Sequence, residues 1–240
     1  MRMFSKWSKY QVMRRNPALR RHLPKTMPFN ASNLKRAVNG AKELILKPAD
    51  SSGGHGVMLV RRTRKGFELQ AGRSVQKVRR LDALYKRVGS RIKRRYIIQD
   101  RIQLAKVKGR LFDIRVMVQR HLKASDWKVT GSLIKVGGAG YIITNTARSG
   151  GYVLPLRDGL KRSGVPSAKI GSIPSALERI SIQTIRTLHP KYRFIKNVGI
   201  DFGVDRNGRI WIIEANFAPA RSLFKRLKDK TMYRRMITYK

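Results

Sequence analysis

The chain contains no cysteine. Disulfides, thiolate nucleophiles and zinc–thiolate centres are therefore excluded from its chemistry. Acid is scarce too: 13 Asp and Glu stand against 55 Lys and Arg, a formal charge of +42. The histidines His22, His55, His121 and His189 are scattered and form no HExxH pair. No apolar run approaches the roughly 18 residues of a membrane span. The basic start MRMFSKWSKYQVMRR lacks the apolar region of a signal peptide. Internal repeats at solenoid periods and low-complexity linkers are also missing. The expectation is a soluble, cytoplasmic protein with no membrane span.

What remains is the composition of a folded protein. Hydrophobic residues make up 41% of 240 residues and all three large aromatics occur. A chain of this length buries about 70% of its unfolded surface, enough for a real core. The basic residues run through the whole sequence rather than one arm. Such a field attracts nucleic acid, nucleotide phosphates or acidic polymers without naming one, and nonspecific polyanion binding is expected.

The first forty residues read as basic and helical, broken around RHLPKTMPFNAS, with an N-cap at Asn30 or Ser32. From Glu43 the pattern becomes strand (ELILKP), glycine-rich turn, strand (VMLVRR). KVRRLDALYKRV places Val78, Leu81, Leu84, Tyr85 and Val88 on one helical stripe, and RYIIQ begins another strand. FDIRVMVQ, KVTGSLIKV and GYIITNT read as further strands. Ser175 to Glu178 reads as a capping box opening a helix to about Leu188. The chain closes with GIDFGV, RIWIIEAN and a basic helical tail. This order predicts an α+β protein of two lobes, divided as 1–40, 41–98 and 99–240.

Asn207-Gly208 is a strong hairpin signal, because both central residues of a two-residue type I′ turn need positive φ. With that turn Asp201 stands directly opposite Glu214. Alternation adds Asn216 to their face and sends Ile200, Phe202, Val204, Trp211, Ile213 and Phe217 to the other. Opposed like charges destabilise a ladder, so something positive is expected between them. A hard divalent cation suits two carboxylates and an amide. The alternative is a solvated face whose acids pair with some of the basic side chains.

In Lys47-Pro-Ala-Asp-Ser-Ser-Gly-Gly-His-Gly a strand ends in lysine before a loop with three glycines. Glycines let backbone N–H groups converge on an anion, so the loop reads as a phosphate cradle or as a bare glycine-rich hairpin tip. It is neither a Walker A loop nor GxGxxG. His55 reads as an exposed loop histidine or a phosphate contact.

Taken together, strand-Lys47, the glycine loop, the break after YIIQ, FDIR, Asn145 with Gly150 and Gly151, then Asp201, Glu214 and Asn216 resemble the ATP-grasp superfamily. KWSKYQVM, HLPKT and LILKPADSSGGHGV look like the endospore coat-associated YheC/YheD family. DIR, ITNTARSGG and GID…EAN are also similar to RimK-type carboxylate–amine ligases. The likeness runs from about Lys6 to Pro219.

This resemblance implies an ATP-grasp fold, two α+β lobes with ATP between them, without a full preceding α/β domain. It implies an ATP-dependent ligase that joins a carboxylate to an amine through an acyl phosphate, acting on an acidic small molecule, peptide or polymer. Lys47 would contact the α/β-phosphates, with Lys9 or Lys6 as the earlier phosphate-side lysine. Ser52, Gly53, Gly54 and Gly56 would form the loop over the triphosphate. Gln99, Asp100, Arg101 and Ile102 would be the adenine hinge, with Asp113 toward the ribose. Arg115 would face the γ-phosphate and acyl phosphate, beside the late Asn145. Asp201, Glu214 and Asn216 would hold two Mg²⁺, Glu214 bridging, with Mn²⁺ as a substitute. Arg148 reads as a partner for a substrate carboxylate or as one more surface cation. Gln99 stands where many relatives carry an acid. The competing readings are a nucleotide-binding assembly protein of a spore layer without turnover, and a nucleic-acid binder motivated by charge alone.

Overall fold

In a computed structural model, residues 4–51, 53–121 and 126–239 are described, the side chain of Arg148 excepted. Ser52 of the glycine loop thus lies outside the described residues. The chain divides into two compact units. One comprises Met1–Tyr10, Pro24–Arg101 and Gly140–Ile143, the other Gln11–Leu23, Ile102–Ala139 and Thr144–Lys240.

Two short helices come first, α1 (Lys6–Met13) and α2 (Pro17–Arg20). The first unit then builds a six-stranded antiparallel sheet from β1 (Thr26–Pro28), β2 (Glu43–Pro48), β3 (Met58–Thr63), β4 (Gly66–Ala71), β5 (Ser74–Val78) and β6 (Tyr96–Asp100), in the order β1-β6-β2-β3-β4-β5. Helix α3 (Ala31–Gly40) starts where Asn30 accepts the Asn33 N–H at 2.7 Å, so Asn30 and not Ser32 is the cap. Helix α4 is Leu81–Gly89. Leu44 and Leu46, alternate residues of β2, meet Leu34, Val38, Leu84 and Val88 in one core. The residue between core positions and loop, Lys47, is thereby set on a central strand. The expected break around RHLPKTMPFNAS contains strand β1. One sequence expectation fails here, since the helical stripe is shorter than predicted. Val78 belongs to β5, while Tyr85 is 37% exposed and stacks on Phe29 with ring centroids 5.4 Å apart.

The second unit has β7 (Lys106–Val107), β8 (Arg110–Arg120), β9 (Trp127–Val136), β10 (Tyr152–Pro155), β11 (Asn197–Val204) and β12 (Ile210–Asn216), ordered β10-β9-β8-β11-β12 with β7 on β8. Its helices are α5 (Thr146–Ser149), α6 (Leu156–Lys161), α7 (Ser167–Ile170), α8 (Ile173–Leu188), α9 (Ser222–Lys225) and α10 (Thr231–Thr238). Met117 and Leu133 form a core with Phe224, Leu227 and Met236, so the C-terminal helices cover part of one sheet face. Helix α8 packs on β8 and β9. It begins at Ile173, before the expected Ser175 box, with Pro174 fixing the first turn and no side-chain cap bond. GYIITNT is not a strand. Its residues run irregularly past Gly140, and β9 pairs instead with Tyr152–Pro155.

The β11–β12 hairpin corrects the expected turn. Gly208 carries the positive φ, 78°, and Asn207 does not. The Gly208 N–H donates to the Asp205 carbonyl at 3.0 Å, and the Asp205 carboxylate accepts from the Asn207 and Arg209 N–H groups at 2.9 and 3.0 Å. The loop is one residue longer than a type I′ turn, so Phe202 pairs with Ile212 and Val204 with Ile210. A bulge at Ile213 then restores the register, and Asp201 does pair with Glu214. Ile210 and Ile212 therefore fill the core in place of the expected Trp211 and Ile213. The Trp211 indole N–H is held by Asp205 at 2.9 Å, under the Arg209 guanidinium.

Candidate active site

Two groups of polar side chains are built into the two sheets. In the first unit, Lys47 Nζ donates to Gln99 Oε1 at 2.8 Å, and Gln99 Nε2 donates to Thr26 Oγ1 at 2.9 Å. All three residues are buried, on the adjacent strands β2, β6 and β1. Gln99 is neutral, so it orients the ammonium without cancelling its charge. Further along, the Asp100 N–H donates to Lys25 O at 2.9 Å and the Arg101 N–H to Glu43 O at 3.1 Å. The Arg101 guanidinium also pairs with Glu43 at 3.1 Å. At Ile102 the chain passes back into the second unit.

The loop after Lys47 holds Gly53, Gly54 and Gly56 at φ of 70, 75 and 70°. Gly56 is the most constrained: the Tyr96 hydroxyl donates to its carbonyl at 3.0 Å, and an added Cβ would lie 2.4 Å from that hydroxyl. Lys6 Nζ donates to the Ser51 carbonyl at the loop's start, and Lys9 is buried on α1. His55 is exposed.

The second group is a row of charge across β9, β8, β11 and β12. Asp113 and Lys135 are cross-strand partners, with Lys135 Nζ 3.0 Å from Asp113 Oδ1. Arg115 and Asp201 are cross-strand partners as well. Arg115 Nε donates to Asp201 Oδ1 at 2.7 Å and Nη2 to Oδ2 at 3.0 Å, a bidentate fork. Lys135 Nζ adds a bond to Asp201 Oδ1 at 2.9 Å, and Asn216 Nδ2 one to Oδ2 at 3.2 Å. Glu214 stands opposite Asp201, half-buried. The positive charge that the opposed carboxylates require is thus present as protein side chains. Thr144 donates to Asp113 Oδ2, so Asp113 is held inside the row. Asn145 lies next to it, its carbonyl accepting from the Ser149 N–H and hydroxyl at 3.1 and 2.8 Å.

Burial sets the electrostatics. It pushes the Asp113 carboxyl up to about 6, against the pull of Lys135. Burial alone would also raise Asp201, but Arg115 and then Lys135 outweigh it and hold that carboxyl well below the usual range. Burial lowers Arg115 and Lys135, yet in each the neighbouring carboxylates prevail and the pKa stands above its ordinary value.

A divalent cation at this end of the row would take the Asp201 and Glu214 carboxylates and the Asn216 amide, hard oxygens of the kind Mg²⁺ takes. Among the described residues no three His, Cys, Asp or Glu gather as a metal cluster, so the amide would be needed. The donor types fit. The occupancy of Asp201 is the conflict: each of its oxygens already accepts two bonds, which fills the roughly four lone-pair positions of a carboxylate.

Sequence reasoning missed Lys135 and the orienting Thr26 and Thr144. One signal for Lys135 was present. Leu46-Lys47 and Ile134-Lys135 both place a lysine next to the last residue of an apolar strand, ahead of a pair of glycines.

The fold is the ATP-grasp fold. The C-terminal domain of Pby1 from K. lactis, described as an ATP-grasp enzyme interacting with the mRNA decapping enzyme Dcp2, matches 98% of this chain and 69% of its own, with a TM-score of 0.55 and 17% identity. The D-alanine-D-alanine ligase of Coxiella burnetii matches 98% of this chain and 56% of its own, at TM-score 0.52 and 13% identity. The chain belongs to the YheC/D like ATP-grasp family, whose sequence model matches residues 1–240. It is 27% identical over 231 residues to the endospore coat-associated protein YheD of Bacillus subtilis strain 168, covering 92% of this chain and 49% of the relative. YheC of the same organism is 20% identical over 232 residues, covering 94% and 62%. The chain thus spans about half of one curated relative it matches and less than two thirds of the other. Among the described residues no helix is long and apolar enough to cross a membrane.

Proposed function

We propose that the chain is an ATP-dependent carboxylate–amine ligase that works through an acyl phosphate on an acidic substrate, in a cytoplasmic, spore-coat-associated setting. The observation that carries this reading is the Arg115–Asp201 fork flanked by Glu214 and Asn216, a buried charged row in a fold shared with ligases. Lys47 is oriented by Gln99 to meet the α- and β-phosphates, and the loop through Gly53, Gly54 and Gly56 turns backbone N–H groups toward the triphosphate. Gln99 to Ile102 read the adenine, with Asp113 on the ribose side. Arg115 stabilises the oxygens of the transferring phosphoryl group, Asn145 flanks it, and Lys135 holds Asp201 in place. Asp201, Glu214 and Asn216 hold the divalent cations. Mg²⁺ bound there supplies charge neutralisation for phosphoryl transfer.

The substrate carboxylate oxygen bonds the γ-phosphorus as the bond to ADP breaks. The amine then forms the C–N bond as inorganic phosphate leaves, taking up the proton that the amine releases. Neither step calls for a protein nucleophile, which suits a chain without cysteine.

The test is ADP release that depends on both Mg²⁺ and an added acceptor. Glu214→Ala should abolish it with the fold intact, and undiminished turnover in that variant would reject the site. A second reading, a nucleotide-binding assembly protein without turnover, is favoured by the donors that already fill Asp201. Tight ATP binding with no turnover across a broad acceptor panel would select it.

A further inference from the structure

We infer that Arg115 occupies the divalent cation's place on Asp201, so that metal binding and release of the Arg115 guanidinium are a single exchange. The inference rests on the reading of Asp201, Glu214 and Asn216 as the cation's ligands. Asp201 Oδ1 accepts from Arg115 Nε and Lys135 Nζ, and Oδ2 from Arg115 Nη2 and Asn216 Nδ2. A metal ion needs a lone pair that one of these donors now holds.

Arg115 is the donor whose departure opens both oxygens, because its fork takes one position on each. Lys135 is the less movable cation, being held from its other side by Asp113 at 3.0 Å. Asn216 turns its amide nitrogen to Asp201, so its carbonyl oxygen remains the atom suited to a cation.

A displaced guanidinium in a buried site needs a new anion. A triphosphate supplies oxyanions whose geometry matches the guanidinium fork. Nucleotide and metal are therefore coupled through Arg115. Without nucleotide the guanidinium stays on Asp201 and the cation binds weakly, whereas with nucleotide it moves to phosphate and the carboxylate is released.

Gly199 provides room for the present position. An added Cβ there would lie 3.2 Å from Arg115 Cδ and from Nη1, and 2.7 Å from Pro219 Cβ. The guanidinium lies in the notch that this missing side chain leaves.

The test is Mn²⁺ binding, followed by electron paramagnetic resonance on the full chain without nucleotide. Arg115→Met should bind Mn²⁺ at least tenfold more tightly than the wild type. Arg115→Lys keeps the charge but loses the fork, which guards against misfolding, and should show a smaller gain in the same direction. Lys128→Met, which removes an exposed charge elsewhere on β9, controls for net charge and should change affinity less than twofold. A nonhydrolysable ATP analogue should tighten Mn²⁺ binding more in the wild type than in Arg115→Lys. Equal Mn²⁺ affinity in wild type, Arg115→Met and Arg115→Lys would overturn the exchange and leave the ligase reading standing. No Mn²⁺ bound by any of them, even with the analogue, would overturn both.

Discussion

Lys135 and Asp113 face each other across the β8–β9 ladder, ammonium and carboxylate 3.0 Å apart and both buried. Burial nonetheless leaves the Asp113 carboxyl raised, to about 6. The unfolded chain ionises it near its ordinary value, so its contribution to stability is complete below about pH 4 and is lost as pH rises through about 6. Asp201 runs the other way: its contribution is present above the ordinary carboxylate pKa and is lost only as pH falls through its depressed folded value. Between pH 4 and 7 the lowered His22 and His189 work against Asp113 and the raised Asp100 works with it, so a comparison with Asp113→Asn isolates the Asp113 part. Relative to Asp113→Asn, the wild type should lose up to about 3 kcal/mol across that window. Urea unfolding of both proteins at several pH values measures it, and parallel profiles would refute it.

Removing one partner of the Arg115–Asp201 fork strands buried charge. Asp201→Ala should destabilise the fold by about 3–5 kcal/mol, because Arg115 and Lys135 remain buried without it. The double variant Asp201→Leu/Arg115→Met should cost less than the sum of its single changes. Denaturant melts of the cycle decide this, and strict additivity would show that the two side chains are energetically independent.

The glycine loop makes a local prediction. Gly56→Ala puts a Cβ on a residue with φ of 70° and 2.4 Å from the Tyr96 hydroxyl. The expected loss is about 1–3 kcal/mol. Tyr96→Phe removes only the hydrogen bond to the Gly56 carbonyl and should cost about 1 kcal/mol. Thermal unfolding compares the two, and a Gly56→Ala variant as stable as wild type would place the strain elsewhere.

The net charge of +42 predicts polyanion binding that salt abolishes. Affinity for a mixed-sequence oligonucleotide should fall linearly on a log–log salt plot and be lost by moderate ionic strength. A sequence-dependent fraction that survives such salt would instead reveal a specific nucleic-acid site.

The sequence carried the acidic pair better than the packing around it. Asp201, Glu214 and Asn216 could be placed on one face by alternation, and they lie on one face. Asn207-Gly208 alone implies a shorter reversal than the one formed, since Asp205 caps the loop through its carboxylate. With that shorter turn Trp211 and Ile213 would face the core, where Ile210 and Ile212 are buried instead. The contacts within the charged row were not legible from local pattern, although the resemblance names Asp113, Arg115 and Asp201, because Lys135, Arg115 and Asp201 meet only when β9, β8 and β11 pair in one register. Strand neighbours of that kind are chosen by long-range packing, which local pattern does not encode. Lys47 was the easier reading, its partner Gln99 the harder one for the same reason.

The loop at Gly208 and the extra residue at Ile213 are offsets of opposite sense on one ribbon, like two shims that cancel. Each offset is absorbed where it arises: dropping one residue from the tip leaves Val204 opposite Ile210, and dropping Ile213 leaves Asp201 opposite Glu214. Forcing Ile213 into the ladder instead would swing Glu214 toward the oily side, opposite Ile200. The ribbon therefore tolerates a shorter tip or a missing Ile213, but not a straightened kink with every residue retained.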